Sequence, residues 1–391
     1  MSHMDLPVYL DNNATTRVDE RVLNEMLPFF TKHFGNAASR THGYGWVAEE
    51  AVQQARERIA KLIHAQPKEI VFTSGATESA NLAIKGVYEA YGSKGKHIIT
   101  CATEHKAVLD TCRHLEKPGA EVTYLPVKND GIVDLEILEK NIKPSTILIA
   151  LMYANNETGV IQPVDEIGAM AKKHRVLFFC DAAQAAGKIP VDVIKNDIDL
   201  LSLSAHKMYG PKGVGALYVR RKDPRVKITA QMDGGGHENN MRSGTLNVPA
   251  IVGFGKACEI GEQEMHLDAE RLSGLRNMLE KALVSTGDVF VNGSTEHRLP
   301  HVTNLSFAGT TANNLITALH NSIAVSSGSA CTSAVTEPSY VLKALGISDE
   351  RANASLRFAL GRFNTGEEID FAIEKIKECI HQLRDQQKAF L

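Results

Sequence analysis

Cysteine is sparse in this chain and nowhere paired. Its six cysteines, Cys101, Cys112, Cys180, Cys258, Cys331 and Cys379, are scattered over 391 residues with no Cys-x-x-Cys spacing. That scatter argues against a zinc knuckle or a disulfide framework, and no metal site is expected. All but Cys331 read as small hydrophobes. Charge of either sign is not in excess. A formal net charge of −3 gives no reason to expect nucleic acid or an anionic membrane as partner. No apolar run approaches the roughly 20 residues of a membrane span. No secretory leader is visible, so a cytoplasmic setting is expected, and Ser2-His3-Met4 has the look of a cloning remnant. Internal repeats, low-complexity tracts and long charge runs are missing as well.

What remains is an ordinary soluble composition, 43% hydrophobic and 23% charged. The length suits two domains. Between about residues 69 and 221, short apolar runs alternate with helical patterns. The expected strands are Glu69–Phe72, His97–Thr100, Glu121–Leu125, Thr146–Tyr153, Leu177–Cys180, Leu200–Ser204 and Ala216–Arg220. The expected helices are Glu78–Tyr91, Lys106–Leu115, Leu135–Ile142 and Val164–His174. This alternation predicts an α/β domain with a seven-stranded, mostly parallel sheet, whose ligands sit beyond the carboxyl ends of its strands. After Met241 a long helical stretch, Val248–Val284, precedes short strands at Val289–Val291 and Val302–Phe307, and then helices to the C-terminus. That texture predicts a smaller α+β domain. N-terminal helices are expected near Glu20–Thr31 and Trp46–Ile63.

The most informative stretch is Ser204-Ala205-His206-Lys207, at the end of a buried strand. Lysine is rarely buried without a purpose, because desolvation disfavours its charged form and makes the amine nucleophilic. The chemistry that needs this is a Schiff base, most often with pyridoxal phosphate. Nearby Lys212, in Gly210-Pro211-Lys212-Gly213, reads as a surface lysine in a turn.

Other strand ends carry weaker signals, each with a plain alternative. Thr73-Ser74-Gly75-Ala76-Thr77-Glu78 leaves N–H groups for a phosphate at a helix N-terminus, or is an ordinary helix cap. His105 can stack on a flat cofactor, or is a surface histidine. Asn155-Asn156 can hold a carboxylate, or forms an Asx-turn. Asp181, at the end of an apolar strand, needs a partner such as a pyridinium N–H, or is a helix cap. The small-residue run Ser326 to Ala334 reads as a mobile loop that exposes Cys331 as a nucleophile.

Together these segments resemble the cysteine desulfurases. The resemblance rests on Ser204-Ala205-His206-Lys207, Ala102-Thr103-Glu104-His105, Asp181 with Gln184, Arg242-Ser243-Gly244-Thr245 and Ser327 to Ser333. It extends from Tyr9-Leu10-Asp11-Asn12-Asn13 to Leu356-Arg357-Phe358-Ala359, and the long Cys331 loop is similar to the IscS/NifS-like group. Such a relationship implies a pyridoxal-phosphate-dependent transferase of fold type I, in the class V aminotransferase family. The large domain would span residues 18–248, and the small domain 5–17 with 249–391.

The resemblance also implies roles. Lys207 would bind the cofactor covalently and His105 would stack on its ring. Asp181 would pair with the ring nitrogen and Gln184 with the ring hydroxyl. Gly75, Ala76, Thr77, Ser204 and His206 would surround the phosphate. Thr245 would reach the phosphate of the neighbouring subunit of a homodimer. Asn156 and Arg357 would hold the carboxylate of L-cysteine. Cys331 would take its sulfur as a persulfide, release alanine and pass the sulfur to an iron–sulfur scaffold or other acceptor protein, for cluster, cofactor or thio-tRNA synthesis. Ala359 stands where a serine is usual, a change expected to matter little. The sequence stops at Leu391, so the longer tail that helps dock the scaffold in IscS-like members is expected to be absent or truncated, which leaves the acceptor open. The rivals are a selenocysteine lyase or other class V aminotransferase, and a non-catalytic sulfur-relay protein. An aminotransferase has no use for Cys331, and a relay has none for Lys207, Asp181 and His105.

Overall fold

Alternating apolar pairs such as Val71-Phe72, Ile98-Ile99, Phe178-Phe179 and Leu200-Leu201 leave no polar face on the strands that carry them. Such strands must be covered on both sides, and the computed structural model, which describes residues 6–327 and 338–389, shows that cover. In chain order, strand β1 (Val8–Tyr9) leads to α1 (Glu20–Met26), α2 (Pro28–Thr31) and α3 (Gly43–Leu62). Then come β2 (Ile70–Thr73), α4 (Ala76–Tyr91), β3 (His97–Cys101), α5 (Lys106–Glu116) and β4 (Glu121–Leu125). They are followed by α6 (Leu135–Asn141), β5 (Thr146–Met152), α7 (Val164–His174), β6 (Leu177–Asp181), β7 (Leu200–Ser204) and β8 (Gly215–Val219).

The seven strands β2 to β8 form one sheet in the order β2-β8-β7-β6-β5-β3-β4. Only β8 runs antiparallel to its neighbours. Phe72, Ile99, Phe178 and Leu201 pack with α3, α7 and the first half of the long helix Val248–Val284. Val71, Ile98, Phe179 and Leu200 pack with α4 and α5 on the other face. Each fully buried Phe, Leu or Ile side chain contributes about 1.5–3 kcal/mol.

The long helix is capped by Asn247, whose Oδ1 accepts from the Ala250 N–H at 3.3 Å. At 37 residues it is roughly 55 Å long, enough to serve two cores. Ile251, Phe254 and Cys258 belong to the sheet core. Leu272, Leu279 and Leu283 join a second core with Val8, Leu10, Phe307, Phe358 and Ile376. A three-stranded sheet, Ser355–Ala359 beside Val302–Phe307 beside Val289–Val291, backs this second core. β1 pairs with Ile323–Ala324, far along the chain. Among the described residues, no helix is long and apolar enough to cross a membrane.

Two expectations about elements change. The helix expected over Glu20–Thr31 breaks at Leu27, because Pro28 has no N–H to continue the ladder and opens α2 instead. The segment Ser355–Ala359, expected in a helical region, is a strand; the apolar Leu356 and Phe358 lie two apart and both join the second core.

Candidate active site

Since β2, β3, β5, β6 and β7 point the same way, their last residues, Thr73, Cys101, Met152, Asp181 and Ser204, share one edge of the sheet. The turns leaving that edge wall a cavity of about 570 Å³. Gly75, Ala76, Thr77, His105, Asn156, Asp181, Gln184, Ser204, His206, Lys207 and Arg357, all singled out in the sequence, line it.

One wall is the N-terminus of α4. Its cap residue Gly75 has φ +154°, open to glycine, and gives the helix no side-chain cap. The opening N–H groups of a 16-residue helix therefore face the cavity with the positive end of its dipole. Gly215, at the start of β8, lets this turn approach: a Cβ there would lie 2.6 Å from the Cα of Gly75. Glu78 in the first turn is paired with Arg242 at 2.7 Å, which holds its carboxyl below the usual range against the opposing effect of burial.

The opposite wall carries the carboxylate and the amine. Asp181 is buried, and its Oδ1 accepts from the Ser202 hydroxyl (2.7 Å) and the Ala183 N–H (3.0 Å). Both bonds fall on one oxygen, which fixes the carboxylate plane at the floor of the cavity. Lys207, on the single turn after β7, donates from Nζ to the backbone carbonyls of Asn13 (2.5 Å) and Ala14 (2.7 Å). Neighbouring His206 has its pKa lowered to about 4 by burial, with the charges of Lys207, Lys212 and Lys188 adding to it. Its ring is therefore neutral near pH 7, with Nδ1 3.1 Å from the Thr15 hydroxyl.

His105 caps α5, its Nδ1 accepting from the Ala107 N–H at 3.1 Å, so in the neutral ring the proton sits on Nε2. Preceding Glu104 is buried. Its Oε1 accepts from the Met152 N–H (2.7 Å), and burial, reinforced by Asp181, pushes its carboxyl well above the usual range. Arg357 is 4% exposed, donates to the Asn156 carbonyl at 3.0 Å and pairs with Asp11 at 2.5 Å. Among the described residues, Arg357 Nε and Asn156 Oδ1 are buried without a hydrogen-bond partner, which leaves polar capacity for a ligand.

Two expected residues stand apart. Thr245 is exposed and does not line this cavity. Cys331, with most of the loop expected to be mobile, lies outside the described residues. The ends of that loop do touch the site. The Arg357 N–H donates to the Ser326 carbonyl (2.7 Å), the Ser339 hydroxyl donates to Glu157 (2.6 Å), and the Tyr340 hydroxyl donates to the Glu104 carbonyl (2.7 Å). The sequence reading missed Ser202 and the linking role of Asn13, whose carbonyl and side chain reach Lys207, Gln184, Asn156 and His301. Lys212, read as a surface lysine, is exposed but stands at the rim of the cavity.

These features fit a flat anionic cofactor with a basic ring nitrogen. A helix N-terminus without a side-chain cap suits a phosphate, a buried carboxylate suits a ring N–H, and an amine lies in the same cavity. The family model described as Aminotransferase class-V matches residues 8–371. A protein named "Cysteine desulfurase IscS" from Anaeromyxobacter sp. (strain Fw109-5) is 57% identical over 383 residues, covering 98% of this chain and 94% of its own length. A solved "NIFS-LIKE PROTEIN" superposes with a TM-score of 0.90 at 40% identity, over 96% of this chain and 100% of its own. Another, titled "SspA in complex with cysteine", superposes with a TM-score of 0.81 at 38% identity, over 92% of this chain and 100% of its own.

Proposed function

The chain belongs to the class-V aminotransferase family and is a cysteine desulfurase, and we propose that it works on L-cysteine with pyridoxal 5′-phosphate held in the cavity above its sheet edge. The observation that carries this reading is the meeting of Lys207, Asp181, His105 and Arg357 in one 570 Å³ cavity. When bound, pyridoxal phosphate supplies an electron sink that makes a substrate Cα proton removable.

The protein's share of the work follows from its own groups. The α4 N-terminus, Gly75, Ala76 and Thr77, with Ser204 and neutral His206, would hold the phosphate. Asp181 would keep the ring nitrogen protonated, Gln184 would meet the ring hydroxyl and His105 would cover the ring face. Lys207 would hold the cofactor and move the proton at the substrate Cα. Arg357 and Asn156 orient the substrate carboxylate, for which a guanidinium fork is well shaped. Cys331 attacks the substrate sulfur as a thiolate: the S–S bond forms as the Cβ–S bond breaks, the bonding pair stays with Cβ, which takes up a proton, and the desulfurised substrate leaves as L-alanine. An iron–sulfur scaffold or another acceptor protein then takes the sulfur.

A homodimer in the cytoplasm completes this reading, with a large domain over residues 18–248 and a small one over 5–17 and 249–391. In support of the dimer, Phe30, Phe34, Tyr44 and Trp46 are each more than half exposed. Trp46 and Leu246 line one surface cleft of about 990 Å³, and Thr245 directly precedes Leu246. The test is alanine release from L-cysteine with no keto acid present, together with a mass shift of 32 Da, roughly one sulfur atom, on the Cys331 peptide. Lys207→Ala is expected to abolish alanine release. Wild-type turnover by that variant, or a keto-acid requirement, overturns the assignment.

A further inference from the structure

Behind the cavity wall lies a second lysine that the reaction above does not use. Lys188 is 8% exposed and follows Gln184 by four residues on the turn leaving β6. Its Nζ donates to Gln184 Oε1 at 3.2 Å and, more weakly, to Asn13 Oδ1 at 3.5 Å. Both acceptors are neutral amides. The charges that bear on it are those of Lys207 and Arg357, and with burial they hold its ammonium well below the ordinary lysine range. His301 donates from Nε2 to the same Asn13 oxygen at 2.9 Å. The carboxylates of the site are engaged elsewhere, Asp11 with Arg357 and Asp181 with Ser202 and Ala183. Among the described residues no carboxylate bonds it; burying an amine that way is costly, and an apolar side chain of similar length is often neutral or stabilising in its place. Stability therefore does not account for Lys188.

Its geometry points to another task. Gln184 donates from Nε2 to the Asn13 carbonyl at 3.0 Å and accepts from Lys188 on Oε1. The Asn13 carbonyl only accepts, so Nε2 faces it and Oε1 is left to face Lys188, whose amine donates in either protonation state. The flipped amide sets carbonyl against carbonyl and takes the acceptor away from Lys188. In the orientation that holds, Nε2 keeps a second N–H, and Gln184 lines the cavity. Lys188 does not line it, so it acts through the lining residues it bonds, chiefly Gln184 and more weakly Asn13. We propose that Lys188 is a positioning residue: it locks the Gln184 amide so that an N–H, and not the carbonyl oxygen, is offered to an anionic ligand oxygen in the cavity. This rests on the reading that pyridoxal phosphate binds there with its ring hydroxyl towards Gln184.

The experiment uses full-length apo-protein as wild type, Lys188→Met, Gln184→Met and the double variant. Each is titrated with pyridoxal phosphate while the visible absorbance band is followed against pH, and each apo-protein is melted. Lys188→Met is expected to weaken cofactor binding about tenfold, the loss of one oriented hydrogen bond, and to move the pH midpoint of the band. Its apo-protein is expected to melt at or above the wild-type temperature. In the Gln184→Met background, Lys188→Met is expected to change neither binding nor midpoint. Binding within twofold of wild type with an unmoved band overturns the proposal, as do effects of the two substitutions that add. Should Lys188→Met not fold, Lys188→Gln decides: it keeps a donor, so a wild-type band supports the proposal, and a loss equal to that of Gln184→Met overturns it. Wild-type protein that forms no adduct at Lys207 overturns the cofactor reading itself.

Discussion

Gly215→Ala offers a sharp test of the cradle, because it adds one methyl group and no charge. Gly215 sits in β8 between Thr73 of β2 and Ser204 of β7, the two strand ends that flank the α4 turn. Its φ is not in the left-handed region, so alanine meets no backbone conflict there. The conflict is steric: the new Cβ would lie 2.6 Å from Gly75 Cα and also press on the Leu203 carbonyl. Carbon atoms pack at about 3.5–4.0 Å, so the Gly75 turn must retreat by roughly 1 Å. Overpacking of this kind costs about 1–3 kcal/mol. A retreat of about 1 Å also takes the α4 N–H groups out of hydrogen-bond range of the phosphate of a cofactor tethered at Lys207. The expected outcome is cofactor binding weakened on the order of 10- to 100-fold, with the apo-protein still folded. Fluorescence titration of apo-protein with pyridoxal phosphate measures it. Gly274→Ala is the control: it lies in the long helix with open space around it and is expected to raise stability by about 1 kcal/mol. Gly215→Ala that binds the cofactor within twofold of wild type refutes the reasoning.

Cys331→Ser is expected to bind cofactor and cysteine normally but form no protein persulfide, because a hydroxyl is a far weaker nucleophile towards sulfur than a thiolate; persulfide at the wild-type rate would move the role to another cysteine. Arg56→Met leaves Glu238 buried without its guanidinium partner, which bonds it twice at 2.8 Å, and is expected to cost about 3–5 kcal/mol in a denaturant melt; a cost under 1 kcal/mol would remove that pair from the anchoring of the segment before Thr245. His206 titrates at about 4 in the folded chain against an ordinary 6.5, so the unfolded chain takes up its proton first as the pH falls. Its contribution to stability is complete above pH 6.5 and is lost between there and pH 4, about 1–2 kcal/mol once solvent screening of this part-exposed ring is allowed for. Stability of apo-protein carrying His206→Asn is expected to fall less over that window, and an identical acid limb would contradict the assignment.

The sheet was legible because most of its strands are short, largely apolar runs, and the paired apolar residues require cover on both faces. Lys207 and Asp181 were legible for a related reason: a charged residue ending such a run has no packing explanation. Asn13 was less so. Its importance comes from contacts with Gln184, Lys207 and His301, and nothing local in Tyr9 to Thr16 announces them. Arg357 was named through the resemblance, but its strand was not seen. Five residues of alternating side chains, flanked by Asn353 and Gly361, look like a helix end until Val302–Phe307 is available to pair with them. Lys188 was invisible because a lysine four residues after a glutamine, in a run of alanines, has the pattern of a solvated turn. Only tertiary packing buries it.

The link between Asp11 and Arg357 also sets a timetable for biosynthesis. The two are 346 residues apart, and Lys207 rests on carbonyls made some 190 positions before it. At ribosomal speeds of about 5–20 residues per second, Asp11 waits roughly 17 to 70 s for its arginine. During that interval the sheet strands are already synthesised, yet the carboxylate end of the pocket has no guanidinium. On the proposed assignment of the pocket, a nascent chain that meets the cofactor early holds its phosphate before it can select a substrate. Acquisition of the cofactor and acquisition of specificity become separable events in the life of each new molecule.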